Sequence, residues 1–244
     1  MRNIALELMY DGTNYFGYQR QKGFITIQES IESALSRLTK EDITIYGCGR
    51  TDTGVHALKY VCSFNTNSTM PADKLPIAMN SILNKDIVIL SARDVSPKFH
   101  GRFSVKEKTY VYKILNTPFS DPFLANYVWH YKYNLDIDKM KKAAEYIKGY
   151  HDFSCFMTSG AQVKTTDRTV KKLEITEKNG MIEIEISADG FLYNMVRIIT
   201  GTLVYVGCGK LTPTDVKNIV ESSDRRLAGI TAPPQGLYLK DVVY

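Results

Sequence analysis

Cysteine is scarce and scattered. Cys48, Cys62, Cys155 and Cys208 are the only four in 244 residues, and none forms a C-x-x-C pair. Zinc knuckles and disulfide frameworks need clustered cysteines, so neither is expected, and reduced thiols in a reducing compartment are. Long hydrophobic runs are absent as well. The first residues, Met1-Arg2-Asn3-Ile4-Ala5-Leu6-Glu7, enter strand alternation at once, which argues against a signal peptide or membrane span and predicts a cytoplasmic protein. No P-loop, dinucleotide fingerprint or zinc motif occurs, and no segment is low in complexity. A dominant charge is also missing: 31 Lys and Arg against 26 Asp and Glu leave a net +5. That balance permits a polyanionic partner but falls short of a protein that coats nucleic acid.

What is present is an ordinary globular composition, 44% hydrophobic and 23% charged, long enough for one large domain or two of common size. Sixteen Tyr and ten Phe supply rings able to stack on bases, although most rings in any chain are core. Ile4, Leu6, Leu8 and Tyr10 alternate as in a half-buried strand. Thr26 caps a helix with Glu29 three residues on, and Ile27, Ile31, Leu35 and Leu38 form its stripe. Ile43 to Cys48 and Lys59 to Phe64 read as strands, Pro71 to Leu83 as a helix opened by proline, and Ile87 to Val95 as a strand.

A similar order follows. Thr109 to Leu115 reads as a strand and Ile137 to Ile147 as a helix capped by Asp136. Val170 to Ile175 and Ile182 to Ile186 make a hairpin around Asn179-Gly180. An apolar helix runs from Phe191 to Val206, Thr212-Pro213-Thr214-Asp215 caps another, and Leu237 to Val243 is a last strand. The pattern predicts an α+β protein of two similar halves, residues 1–104 and 105–244, without a detectable sequence repeat.

Between two expected strands lies Gly49-Arg50-Thr51-Asp52-Thr53-Gly54-Val55-His56-Ala57. Two glycines bracket a cation and an anion in a tight loop where another backbone can approach closely. On these residues alone, a turn in which Asp52 bonds its own backbone is one reading, and a metal site using Asp52 and His56 another. The segment resembles the signature of the tRNA pseudouridine synthase A family, Gly-Arg-Thr-Asp-x-Gly-Val-His-Ala. Further segments match in order: Tyr10-Asp11-Gly12-Thr13, Tyr15-Phe16-Gly17-Tyr18-Gln19, Thr26-Ile27-Gln28, Phe99-His100-Gly101-Arg102-Phe103, Lys108-Thr109-Tyr110-Val111-Tyr112, His151-Asp152-Phe153, Phe191-Leu192-Tyr193-Asn194-Met195-Val196-Arg197, and Ala232-Pro233-Pro234-Gln235-Gly236-Leu237. One departure is Gly101, where the family usually has alanine.

The resemblance implies two ferredoxin-like halves whose antiparallel sheets join around a central RNA-binding cleft. It also implies a homodimer, and isomerisation of uridine to pseudouridine in the anticodon stem-loop of tRNA at positions 38, 39 and 40. That reaction moves a base from N1 to C5 on one sugar carbon; nothing is oxidised or hydrolysed, so neither cofactor nor metal is expected, and no membrane partner. By resemblance Asp52 is the catalytic carboxylate, Arg197 the cation that keeps it ionised, Tyr110 the ring that stacks on the target base and either only stacks or also removes a proton, and Arg50 the contact to the displaced nucleotide. Lys98, Arg102, Lys106 and Lys108 on one stretch, with Lys164, Arg168, Lys171 and Lys172 on another, are candidate phosphate contacts. Two other functions fit parts of the pattern: a module that grips structured RNA without chemistry, and a metal-dependent hydrolase using Asp52, His56 and His100.

Overall fold

The computed structural model describes residues 1–158, 160 and 163–244. Its elements are β1 (Arg2–Tyr10), α1 (Ile27–Thr39), β2 (Tyr46–Gly47), β3 (His56–Thr66), α2 (Leu75–Asn80), β4 (Ile87–Val95), β5 (Glu107–Leu115) and β6 (Trp129–His130). They continue with α3 (Ile137–Glu145), β7 (Gly149–Asp152), β8 (Asp167–Lys178), β9 (Met181–Ala188), α4 (Met195–Gly207), α5 (Pro213–Ser222) and β10 (Leu237–Val243). The protein is a mixed α and β structure of two compact units, Met1–Lys106 with Tyr238–Tyr244, and Glu107–Leu237. The sequence reading put the last strand with the second half. Instead β10 pairs in parallel with β3, Tyr238 beside His56 and Leu239 beside Ala57, so the chain returns to its first unit.

In the first unit β1 lies between β3 and β4, antiparallel to both. Ile4, Leu6, Leu8 and Tyr10 of β1 are all buried, as their alternation requires. The Thr26 hydroxyl accepts the Glu29 amide and starts α1, which buries Ile27, Ile31, Ala34 and Leu35. The predicted strand from Ile43 shrinks to Tyr46–Gly47. Side chains take the amides a ladder would use: Ile43 N–H donates to Ser36 Oγ (3.2 Å) and Ile45 N–H to the buried Glu32 carboxylate (3.0 Å). The predicted helix over 71–83 is a 3₁₀ turn, Ala72–Lys74, followed by six residues of α-helix with Pro76 in its first turn. A proline there lacks the amide needed to continue the preceding turn.

In the second unit β5, β9, β8 and β7 form an antiparallel run, with the two-residue β6 parallel to β5 on its other edge. Asn179 and Gly180 turn the β8–β9 hairpin at φ 54° and 77°, the positive values that a tight two-residue turn demands. Ile182, Ile184 and Ile186 are buried along β9 while Glu183 and Glu185 alternate with them. The helix expected from Phe191 begins at Met195, because Asn194 sits in the left-handed region at φ 61° and interrupts helical backbone there. β6 and β7 have two and four residues, too few to show a period. No helix among the described residues is long and apolar enough to cross a membrane.

Helix α5 opens on a reciprocal cap. Thr212 Oγ1 accepts the Asp215 amide (3.2 Å), while the Thr212 amide and hydroxyl donate to the Asp215 carboxylate (2.7 and 2.8 Å). The backbone bond from Thr212, then its hydroxyl, hold this carboxyl below the usual carboxylate range. A depressed folded value stabilises the fold above the unfolded carboxylate value, about 3.9, and that contribution disappears as pH falls through the folded value. Thr212→Ala is expected to lower stability at neutral pH by about 1 kcal/mol in denaturant titration. The gap to the unsubstituted protein narrows in acid.

Candidate active site

The Asp52 loop is held from beneath by backbone and phenols. Asp52 to Val55 form a turn closed by the Val55 amide donating to Asp52 O (3.1 Å), with Gly54 at φ 76°. The Cys48 amide donates to Val61 O (2.9 Å) and the Tyr18 amide to Thr51 O (3.0 Å). Tyr60 donates its hydroxyl to Gly49 O (2.5 Å), and the Tyr10 and Thr51 hydroxyls are 2.8 Å apart. Tyr60 stacks on Tyr18 (4.6 Å between centroids, 27°) and tilts against Tyr10 (5.6 Å, 56°). Burial pushes the Tyr18 and Tyr60 phenols well above their ordinary value near 10, so at neutral pH they are uncharged supports rather than bases. Thr51 and Val55 are thereby pinned inward, Arg50 and Thr53 are exposed, and Asp52 is half-buried.

Two glycines bring a second backbone onto this loop. A Cβ on Gly12 would lie 2.0 Å from Val55 O, and one on Gly17 would lie 2.7 Å from Thr51 O at a backbone φ of 79°. The segment Tyr10 to Tyr18 thus packs directly on the Asp52 loop. The Gly17 and Tyr18 carbonyls then accept the amides of Ile27 (3.2 Å) and Gln28 (2.9 Å), which as first-turn donors have no partner inside α1. The Glu32 carboxylate accepts from Gln28 (2.9 Å) and the Ile45 amide (3.0 Å) and pairs with Arg20 (2.7 Å). These supports were not singled out from sequence. Two glycines among chemistry-bearing motifs were their one available signal.

His56 is 2% exposed, stacks on Tyr238 (4.7 Å, 23°), and places Nδ1 3.1 Å from both the Gly12 amide and an Asp11 carboxylate oxygen. His100 Nδ1 accepts the amides of Arg102 (3.1 Å) and Phe103 (3.3 Å). Both histidines are tied into loop backbone, and among the described residues no three His, Cys, Asp or Glu side chains group as a metal site.

Tyr110 and Arg197 lie in the second unit. Tyr110 sits on β5 opposite Ile186 and meets Phe191 edge-on (5.0 Å, 86°). Arg197, in the first turn of α4, donates from Nε to Ala232 O (2.7 Å) and from Nη1 to Asn194 Oδ1 (2.7 Å). The Ala232 amide returns a bond to Arg197 O (3.1 Å). A Cβ on Gly201 would lie 1.9 Å from Ile230 O, so the segment that orients the guanidinium packs tightly on α4. Of the predicted phosphate contacts, Lys171 pairs with Glu107 (2.7 Å) and Lys172 with Glu185 (2.9 Å) and Glu174 (3.1 Å). Lys98, Arg102 and Lys106 are exposed.

A family described as tRNA pseudouridine synthase matches residues 8–104 and 143–244. With relatives near half identity along its whole length, the chain belongs to that family of RNA-modifying isomerases. More narrowly, it resembles the tRNA pseudouridine synthase A of Thermoanaerobacter sp. (strain X514), 53% identical over 244 residues and all of both chains. It likewise resembles the enzyme of that name from Caldicellulosiruptor saccharolyticus, 50% identical over all of both chains. The tRNA pseudouridine synthase A 2 of Clostridium tetani is 49% identical, covering 100% of this chain and 99% of its own. Among solved structures, a Cbf5-Nop10-Gar1 complex aligns with 96% of this chain and 57% of that one, at 10% identity and a TM-score of 0.39.

Because Gly12 cannot accept a Cβ without moving Val55, Gly12→Ala is expected to cost about 1–3 kcal/mol of stability. Turnover should fall further than the lost folded fraction explains, since the displaced backbone carries Asp52. Turnover that tracks only the folded fraction, with an unchanged fold, would remove the loop clamp from the account.

Proposed function

We propose that this protein isomerises uridine to pseudouridine in the anticodon stem-loop of tRNA, with Asp52 as nucleophile. What carries the reading is a clamped, outward-facing Gly-Arg-Thr-Asp-x-Gly-Val-His-Ala loop in a chain about half identical, end to end, to curated tRNA pseudouridine synthases A. In the reaction the bond from N1 to the sugar carbon breaks, C5 bonds to that carbon, the C5 proton leaves and N1 gains a proton. Atoms balance within the substrate and water. A half-buried carboxylate is suited either to covalent addition or to countering charge that develops on the sugar.

On this reading Arg197 keeps Asp52 ionised, Tyr110 stacks on the extruded base, and Arg50 holds the phosphate of the displaced nucleotide. Two ferredoxin-like halves belong to the same reading, and within each unit antiparallel strands interleaved with helices support it. A cytoplasmic homodimer acting at positions 38, 39 and 40 belongs to the same proposal, on the resemblance alone. Orientation of Arg197 by Ala232 and Asn194 supports its role, because a guanidinium fixed in plane pairs with a carboxylate at lower entropic cost than a mobile one.

Incubation with tRNA tritiated at uridine C5 tests the proposal. Release of tritium from the anticodon arm is expected, and Asp52→Ala should reduce it on the order of a thousand-fold or more. Asp52→Asn should bind tRNA almost as well as the unsubstituted protein. A protein that binds tRNA yet releases no tritium from any tRNA is a binding module. Release that survives in Asp52→Ala would move the chemistry to another residue.

A further inference from the structure

Tyr46, His100 and Phe103 form a continuous row of tilted rings in the first unit, with centroids 4.6 Å apart at 40° from Tyr46 to His100 and 4.4 Å apart at 35° from His100 to Phe103. The Arg102 guanidinium lies 5.6 Å from the Phe103 centroid. Phe103 is 76% exposed and Tyr46 43% exposed. Rings this open add little to a core, yet their mounting is rigid. His100 Nδ1 accepts two amides of its own turn, the His100 amide donates to Ser104 Oγ (3.1 Å), and the Ser104 amide donates to His100 O (3.0 Å). The Gly101 amide donates to Ser63 Oγ (2.9 Å), and Tyr244 donates its hydroxyl to Gly101 O (2.8 Å).

Gly101 sets the spacing of the row. A Cβ there would lie 2.0 Å from Tyr46 O and 3.0 Å from Ser63 N, so the glycine lets the His100 turn sit directly on β2. Arg102, beside Phe103, is exposed, as are Lys98 and Lys106 two and three residues along the chain from His100 and Phe103, and no carboxylate among the described residues pairs with them. Lys171 and Lys172, by contrast, are neutralised by glutamates. A rigid π surface flanked by unpaired cations fits a nucleobase attached to phosphate. An apolar protein partner would leave the cations without a counter-charge.

We infer that the Tyr46–His100–Phe103 row with Arg102 is a second nucleotide-binding site, which takes an unpaired base of the substrate tRNA and its phosphate away from the extruded uridine. The inference rests on the proposed tRNA pseudouridine synthase activity. Tyr46 precedes Asp52 by six residues, at most about 20 Å of extended chain, so one RNA molecule can span both places. The site acts on substrate positioning and takes no part in bond making.

The test uses the full chain and a tRNA transcript tritiated at uridine C5. Phe103→Ala is expected to raise KM about ten-fold, the usual scale for loss of one stacked base, with kcat changed far less. Phe103→Trp should restore KM, and tRNA should quench its fluorescence beyond any quench seen with Trp129, the chain's single native tryptophan. Arg102→Ala should reduce the slope of log affinity against log salt by about one. Gly101→Ala, which displaces Tyr46, should raise KM in the same direction. Unfolding midpoints identify any variant whose KM shift follows from lost structure. Unchanged KM in folded Phe103→Ala, with no added quench in Phe103→Trp, overturns the inference. Absence of tritium release by the unsubstituted protein instead overturns the activity, while the tryptophan quench still reports on the second site.

Discussion

Everything about the candidate catalytic loop depends on two backbones approaching more closely than side chains would permit. At Gly12 and Gly17 the segment after β1 lies directly against the carbonyls of Val55 and Thr51. From that contact the neighbouring supports follow. The Tyr18 amide reaches Thr51 O, and the next carbonyls receive the first amides of α1, so one short segment links the first strand, the first helix and the Asp52 turn. The proposed role of Asp52 calls for this stiffness, because misplacement of a reacting group by about 1 Å can cost a hundred-fold in rate. A loop held only by its own turn bond would not provide it.

The phenols beneath the loop and the guanidinium of the second unit do different physical work. Tyr18 and Tyr60, pushed upward by burial, stay uncharged at neutral pH: Tyr18 packs against Tyr60, and Tyr60 donates its hydroxyl to Gly49 O. What distinguishes Arg197 is a fixed direction. Nε and Nη1 are committed to Ala232 and Asn194, so the plane of the fork is set before any substrate arrives. Asn194 achieves this by adopting a left-handed backbone at φ 61°. The residue that delays α4 by four positions relative to the pattern is thus the one that orients its arginine.

That delay shows where the sequence could be read and where it could not. Capping side chains announce themselves locally, so Thr26, Asp136 and Thr212 each mark a true helix start, and Asn179-Gly180 marks its hairpin. Alternation located β1, whose Ile4, Leu6, Leu8 and Tyr10 are all buried. Failures arose where distant groups competed for backbone: Glu32 and Ser36 took the amides of Ile45 and Ile43, and apolar periodicity carries no sign of such capture. The return of β10 to β3 is likewise a pairing choice that no local pattern encodes. For the site, the loop around Asp52 was readable as residue types, whereas its support was not. A glycine advertises permitted closeness but never names the backbone it will meet.

Gly101 gives that last point its clearest form. Read as sequence, it is a departure from the alanine usual at that place. In the fold it is a spacer of zero length: removing one methyl lets the His100 turn close onto Tyr46 and brings three rings into contact. Net charge sharpens the consequence. With only +5 over the whole chain, attraction to RNA cannot come from a diffuse positive field and must come from local cations that lack carboxylate partners. Glu107, Glu174 and Glu185 neutralise Lys171 and Lys172, whereas Arg102 lies over the exposed Phe103 ring with no carboxylate partner among the described residues. Charge that is scarce overall is therefore left unpaired beside a surface where three exposed or half-exposed rings in contact give a base something to rest on.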